Sequence, residues 1–320
     1  MKAFTMDSLP SEDKLINRID SGEVLYFANE LARTNIKELQ EIVIPLTLYN
    51  LFYPEKEADN AVEHRYTMFK STGESAVIDF ANGGSKDVTS VSVGGKMYSS
   101  PIRHAAVKID YTLFELENQT IRNTIERKRR EALRSNYRRI NDTLLKGDNT
   151  FGLSGILNNK QIDPATAVIS TGWAARTGDL IEADLFAAYN AALNNTGGTI
   201  KPDTLLMSAS TYDLISTKSY TTTNISFVTQ SVLQTFLTKA NTIKNVVRCT
   251  ELNGAFSGNA NGFIFFNNSP EFIYQVLSHP FRILPPVTEN GGLQFSALAL
   301  SGYGGLIVPQ PKMFASRYGC

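Results

Sequence analysis

Between His64 and Asn158 the chain carries a pattern that few isolated folds can accommodate. A long stretch of strand periodicity runs directly into one strongly basic helical stretch, which ends in Gly147-Asp148-Asn149-Thr150-Phe151-Gly152-Leu153-Ser154-Gly155-Ile156-Leu157-Asn158. From His64 to Ile109 the apolar period is near two: Tyr66 and Met68, Val91 and Val93, then Ala105, Val107 and Ile109 alternate with polar residues. Gly73, Gly83-Gly84 and Gly94-Gly95 supply turns. Hairpin legs of about 12 to 15 residues, at about 3.3 Å per residue, project on the order of 40 to 50 Å. A polar-faced hairpin of that reach is marginal alone. The helix predicted from about Thr112 to Lys146 is on the order of 50 Å long. It carries eight Lys/Arg against two Asp/Glu between Arg122 and Arg139, which is not the composition of a core helix. Neither half can bury its own surfaces, so the pattern predicts that another subunit covers them.

At 100° per residue, Ile121, Ile125, Ala132, Leu133, Ile140 and Leu144 gather on one side of this helix, and Arg127, Arg130, Arg134 and Arg138 stack on the other. Arg122, Arg129 and Arg139 fall nearer the apolar side and must snorkel or find carboxylates, for which an intersubunit salt bridge is suited. The basic stripe has two readings. One is salt-dependent, sequence-independent contact with phosphates or an acidic partner protein. The other is a solvated or salt-bridged face. No base-stacking aromatics, zinc finger or recognition-helix context surrounds it, which argues against sequence-specific recognition.

Elsewhere, residues 11 to 52 read as helical pieces, with Leu15, Ile16, Ile19, Phe27 and Leu31 near helical spacing and Pro45 and Pro54 as punctuation. They form either an N-terminal arm or a helical layer on the chain's own core. Residues 178 to 260 alternate as an α/β unit: a helix over Asp184 to Asn194, a strand over Thr204 to Met207, a helix near Val232 to Ala240 and a strand over Val246 to Thr250. Beyond Gly262 strands dominate: Phe263 to Phe266, Glu271 to Leu277, Leu293 to Leu300 and Leu306 to Val308. Gly302-Tyr303-Gly304-Gly305-Leu306 reads as a bend between the last two.

The 320 residues are 42% hydrophobic, ample for a sizeable core. No apolar run reaches membrane-spanning length, and the start, Met1-Lys2-Ala3-Phe4-Thr5-Met6-Asp7, has no signal-peptide core, so a cytosolic chain is expected. Cys249 and Cys320 are read as reduced thiols. The 31 basic and 31 acidic residues cancel, which permits dense self-association, while Glu55, Glu57, Asp59 and Glu63 form an acidic stretch that can complement the basic helix of another copy. His64, His104 and His279 lie 40 and 175 residues apart and match no metal spacing, so each reads as a surface or strand polar residue. A phosphate-binding loop, a nucleophile elbow and a CxxC pair are all missing from the sequence. No catalytic, cofactor or metal site is predicted, and the chain is not read as an enzyme.

The order of elements resembles the tailed-bacteriophage major capsid fold of the Hong Kong ninety-seven type, an α+β fold also used by encapsulin shells. The resemblance covers roughly residues 45 to 320. It rests on the Tyr49-Asn50-Leu51-Phe52 region, Arg65-Tyr66-Thr67, Ser99-Ser100-Pro101-Ile102, the helix with Phe151-Gly152-Leu153-Ser154-Gly155-Ile156-Leu157-Asn158, and the tail Gly305-Leu306-Ile307-Val308-Pro309-Gln310-Pro311.

The resemblance implies an N-terminal arm over residues 1–60 and an extended β loop over 61–110. It implies a spine helix with the first part of a peripheral domain over 111–174, an axial domain over 175–260, and returning peripheral strands over 261–320. It further implies hexamers and pentamers of an icosahedral head enclosing double-stranded DNA, with a separate scaffolding protein, a portal, possible decoration proteins and non-specific DNA contact. No membrane partner is implied, and the location is the virion, with host cytoplasm during assembly. The intersubunit contacts would come from Tyr66, Met68, Lys70, Lys86, Lys96 and Tyr98. Arg127, Arg130, Arg134 and Arg138 would face the interior or a partner. Some members cross-link a loop lysine to a neighbour's asparagine; Lys70, Lys86 and Lys96 are the lysines to weigh against ordinary surface roles. The alternatives are an encapsulin-like compartment shell with protein cargo and a cytosolic nucleic-acid-binding protein.

Overall fold

The computed structural model describes residues 46–59, 61–72, 92–112, 122–167, 172–220, 230–290 and 294–320. The helical reading of residues 11 to 45, Lys86 with the Gly83-Gly84 turn, and residues 113–121 of the predicted long helix lie outside these residues.

Two sheets and one long helix organise the described chain. In the first sheet the central strand is β12 (Gln294–Ile307). Along one edge, β4 (Arg103–Thr112) pairs antiparallel from Gln294↔Thr112 to Tyr303↔Arg103. The other partners are β9 (Tyr274–Leu277), β10 (Arg282–Ile283) and β11 (Val287–Glu289), and β1 (Pro54–Lys56) adds to β9 in parallel. The helix α2 (Arg122–Lys146) lies on this sheet, burying Ala132 against Ile109, Tyr111, Ala297 and Ala299.

The second sheet has the order β5 (Thr166–Ala167), β13 (Ala315–Tyr318), β8 (Gly262–Phe266), β6 (Thr204–Ser208), β7 (Asn245–Cys249). Every residue of β6 and β8 is buried. Alternation sends Leu206, Ile264 and Phe266 into one core, shared with Ile140, Leu144 and Leu145 of α2. It sends Leu205, Met207, Phe263 and Phe265 into another. That second core is closed by α3 (Gly178–Asn195), α4 (Ala209–Thr217) and α5 (Val232–Lys239). Burial on both faces explains why these strands read as continuous apolar runs.

Four expectations need correction. The stretch from His64 to Ile109 is not one arm: residues 103–112 belong to the first sheet, because Ala105, Ile109 and Tyr111 turn inward while Arg103, His104, Lys108 and Asp110 stay exposed. Thr112 ends a strand rather than starting a helix. Residues 294–307 form one strand, not two, because Gly302-Tyr303-Gly304-Gly305 makes a register shift within the ladder. A Cβ on Gly302 would lie 2.1 Å from Ser278 Oγ, so close strand packing requires a glycine there. Finally, the strands after residue 261 divide between the sheets: β8 and β13 complete the 204–249 unit, since the five-residue run Gly262–Phe266 fills both of its cores.

Two local devices fix α2. At its C-terminus Gly147 sits at φ +68° and donates to Thr143 O (2.8 Å), while Ile156 and Leu157 donate to Leu144 O and Leu145 O (both 2.9 Å). The returning loop thus satisfies carbonyls that any helix end leaves orphaned. It approaches so closely that a Cβ on Gly155 would lie 2.4 Å from Thr143 O. Nearer the helix middle, buried Asn141 accepts through Oδ1 from the N–H groups of Leu48 and Tyr49 (3.0 Å each), capping α1 (Thr47–Leu51). Gln275 Nε2 donates to Tyr49 O (2.8 Å) and Phe52 O (2.9 Å) at the other end. A five-residue helix has little stability of its own, so these side chains hold it.

Candidate assembly interface

A two-stranded antiparallel ribbon leaves the first sheet: β2 (Glu63–Thr72) pairs with β3 (Ser92–Pro101) from Glu63↔Pro101 to Thr72↔Ser92. Among the described residues each strand has one partner, so both outer edges present unpaired backbone groups. The ribbon is anchored at its root. His64 is buried, with Nδ1 2.5 Å from Glu57 Oε1 and Nε2 3.0 Å from the Tyr274 hydroxyl. Ser100 Oγ donates to Gly304 O (2.7 Å), and Ile102 N–H donates to Val62 O (2.8 Å).

The ribbon's two faces differ. Tyr66 and Tyr98 stack across the pair, centroids 5.6 Å apart, and Tyr66 packs on Tyr274, Val276 and Ile307. Burial raises the Tyr66 hydroxyl above its usual value, against a lowering hydrogen bond with Gln161. Lys96 Nζ lies 5.1 Å from the Tyr98 ring centroid. Met68 is half-buried, on the same face. The opposite face, with Arg65, Thr67, Met97 and Ser99, is exposed, and Met97 keeps 66% of its surface in solvent. Lys70 lies within β2 and Lys86 lies outside the described residues.

On α2, Arg127 and Arg130 are exposed and Arg134 and Arg138 half-buried. Arg134 Nη1 pairs with Glu131 (2.5 Å), one turn away. Arg138 lines a groove of about 490 Å³ with Lys108, Lys128, Glu131 and Ser135. A second groove of about 450 Å³ beside it carries Arg103, His104, Arg139, Asn136 and exposed Phe151. The arginines nearer the apolar side find carboxylates within their own chain: Arg129 pairs with Glu126 (3.2 Å) and Arg139 with Asp148. A neighbouring subunit is not needed to neutralise these two.

The sequence did not bring out two clusters. Glu251 accepts from Asn141 Nδ2 (2.9 Å), Thr250 Oγ1 (3.1 Å), Cys249 Sγ (3.3 Å) and Thr47 (N–H 3.4 Å, Oγ1 3.3 Å), tying α1 and α2 to the end of β7. Burial raises its carboxyl, but hydrogen bonds from its own N–H, Cys249, Asn141 and Thr47 hold it below the usual carboxylate range overall. Burial likewise pushes the Cys249 thiol up to about 12. Of the three histidines, His64 is buried within β2 and His104 stands exposed in β4, both strand residues as read, whereas His279 is buried outside any strand and stacks on His104. Among the described residues no group of three or more His, Cys, Asp or Glu is gathered to hold a metal ion, and no helix is long and apolar enough to cross a membrane.

A ribbon open at both edges among the described residues, a basic helix lying on the first sheet and a second sheet that shares a core with that helix define a subunit built to meet copies of itself. The profile of the family described as "Major capsid protein" matches residues 78–319, and the chain belongs to that family. No curated protein matches the sequence. Among solved structures, the capsid of Myoviridae phage XM1 is similar at TM-score 0.72 and 17% identity, covering 89% of this chain and 95% of that one. The SrpI encapsulin of Synechococcus elongatus PCC 7942 is similar at TM-score 0.55 and 11% identity, covering 90% and 94%. The virus-like particle of Pyrococcus furiosus is similar at TM-score 0.51 and 15% identity, covering 85% and 92%. The α+β fold is therefore that of phage capsid subunits, shared with encapsulins.

Proposed function

We propose that this major capsid protein assembles into the hexamers and pentamers of an icosahedral phage head enclosing double-stranded DNA. The ribbon with two open edges and exposed Met97 carries the reading, because isolated two-stranded ribbons are marginal and a neighbouring subunit supplies what is missing. In this reading the ribbon is the extended loop lying across the next subunit, α2 and the first sheet form the peripheral domain, and the second sheet with its helices forms the axial domain. Tyr66, Met68, Lys70, Lys86, Lys96 and Tyr98 belong to the strap. Arg127, Arg130, Arg134 and Arg138 face the interior or a scaffolding protein, and meet packaged DNA through phosphates alone. A portal and decoration proteins complete the particle, which assembles in host cytoplasm. The role is structural, with no reaction catalysed.

An encapsulin-like shell is the second reading, favoured by the likeness to the SrpI encapsulin. Electron microscopy of the recombinant protein tests both, and the contents of particles purified from an infected host separate them: nuclease-protected double-stranded DNA supports the head, a protein cargo without DNA supports the compartment.

A further inference from the structure

The residues between β1 and β2 carry two carboxylates, Glu57 and Asp59, and each faces a histidine on a different element. Glu57 meets His64 on the ribbon, as described above. Asp59 Oδ1 lies 3.2 Å from His279 Nδ1, just beyond β9. His279 is buried, and this nitrogen makes no hydrogen bond: the ion-pair distance is met while the alignment is not. The His279 ring lies instead against His104 at the start of β4, centroids 5.2 Å apart and planes 29° from parallel. Register brings these rings together, since His104 pairs with Gly302, whose N–H donates to His279 O.

The remaining charged and titratable groups around the cluster are few. Arg282 on β10 acts on His104, and Arg103 and Arg139 line its groove. Glu55 on β1 acts on Tyr274, whose hydroxyl faces His64, and Tyr66 stacks on the His64 ring at 6.2 Å.

We propose that His279 and Asp59 form a proton-operated clamp on the root of the ribbon. In the neutral state His279 leans on His104 and leaves Asp59 unengaged. When His279 takes up a proton, Nδ1–H donates to the Asp59 carboxylate in a charge-assisted bond. Partial burial, then His279 and Arg282, hold His104 below the usual histidine range. With His64 already bonded to Glu57, the closed clamp fixes the linker at two points. The clamp concerns attachment of the ribbon to its own subunit and stands whether or not the ribbon reaches a neighbour.

Hydrogen exchange of the full chain at about pH 7.5 and about pH 5.5 brackets the usual histidine value. Exchange times are scaled for the intrinsic pH dependence. Protection in a peptide spanning residues 54–66 is expected to rise about threefold on acidification, a modest gain because Asp59 is solvent-exposed. Asp59→Asn is expected to abolish the gain. Protection of α2 reports whether the variant remains folded. Equal protection at both pH values in the parent chain, or a gain that survives Asp59→Asn in a folded variant, overturns the proposal.

Discussion

Asn158 occupies the space that a side chain on Gly147 would fill: a Cβ built there would lie 2.0 Å from the Asn158 amide. The same amide accepts from Gly155 N–H (2.7 Å) and donates to Leu153 O (3.1 Å) and Asn149 Oδ1 (3.0 Å). Gly147, Gly155 and Asn158 therefore form one lock between the end of the long helix and the loop that returns beneath it.

Gly147→Ala combines a left-handed backbone penalty of about 1 to 2 kcal/mol with this overlap, and is expected to destabilise by more than either alone. Asn158→Ala leaves Gly155 N–H unpaired at about 1 to 3 kcal/mol. Because part of the first cost is the clash, the double variant is expected to lose less than the sum, as measured by a denaturant double-mutant cycle. Strict additivity would contradict the lock.

Asn141→Ala removes the acceptor for two N–H groups of α1 and one donor to Glu251. A loss of about 2 to 4 kcal/mol in denaturant unfolding is expected, larger than for an exposed asparagine. Substitution of Asn50, exposed on the same helix, is the control.

The pH dependence of stability follows from Glu251. Its folded value is depressed, so the folded state binds fewer protons than the unfolded chain as acid is added. The stabilisation is present above the ordinary glutamate value, about 4.3, and is lost as pH falls through the lower folded value. The denaturation midpoint is expected to fall below about pH 5, and Glu251→Gln to flatten that fall. An unchanged slope in Glu251→Gln would place the acid sensitivity elsewhere.

Replacing Arg127, Arg130, Arg134 and Arg138 together by glutamine is expected to leave the fold intact, with a stability change within about 2 kcal/mol, because pairs that remain partly in solvent, such as Arg134–Glu131, are worth little. Salt-dependent retention of DNA or scaffold is expected to weaken more. Unfolding of the variant would make these arginines structural pairs instead.

Legibility in the sequence followed the range of the interaction that decides each element. The Val232, Leu233, Phe236 stripe gave α5 directly, and its start was available in the Ser231 and Gln234 capping box, which is formed (Gln234 N–H to Ser231 Oγ, 3.2 Å). On α2 the consistently exposed row is Ser135, Arg139, Asp142 and Lys146, whereas Arg134 and Arg138 are half-buried and Asn141 and Leu145, in line with the Arg127-to-Arg138 stripe, are buried. What failed was pairing. Ala105, Val107 and Ile109 alternate as an arm strand would, and only the partner β12 shows that they belong to the body. α4 was missed because it begins directly after β6, with Ser208 both ending the strand and standing at the N-cap of the helix and no loop between them. The His104–His279 pair is built by strand register, through Gly302, which no local pattern encodes.

Deleting residues 80–90, between the two ribbon strands, leaves the described core untouched. Unchanged thermal unfolding together with failure to form particles is expected from paired melting and sedimentation measurements. Particle formation at parent levels would remove the ribbon from the assembly account.

Self-assembly is expected through surfaces the single subunit leaves open. Negative-stain electron microscopy of the purified protein under assembly conditions tests it most directly. Closed shells built from hexameric and pentameric units are expected; monodisperse monomers without rings, tubes or shells would contradict it.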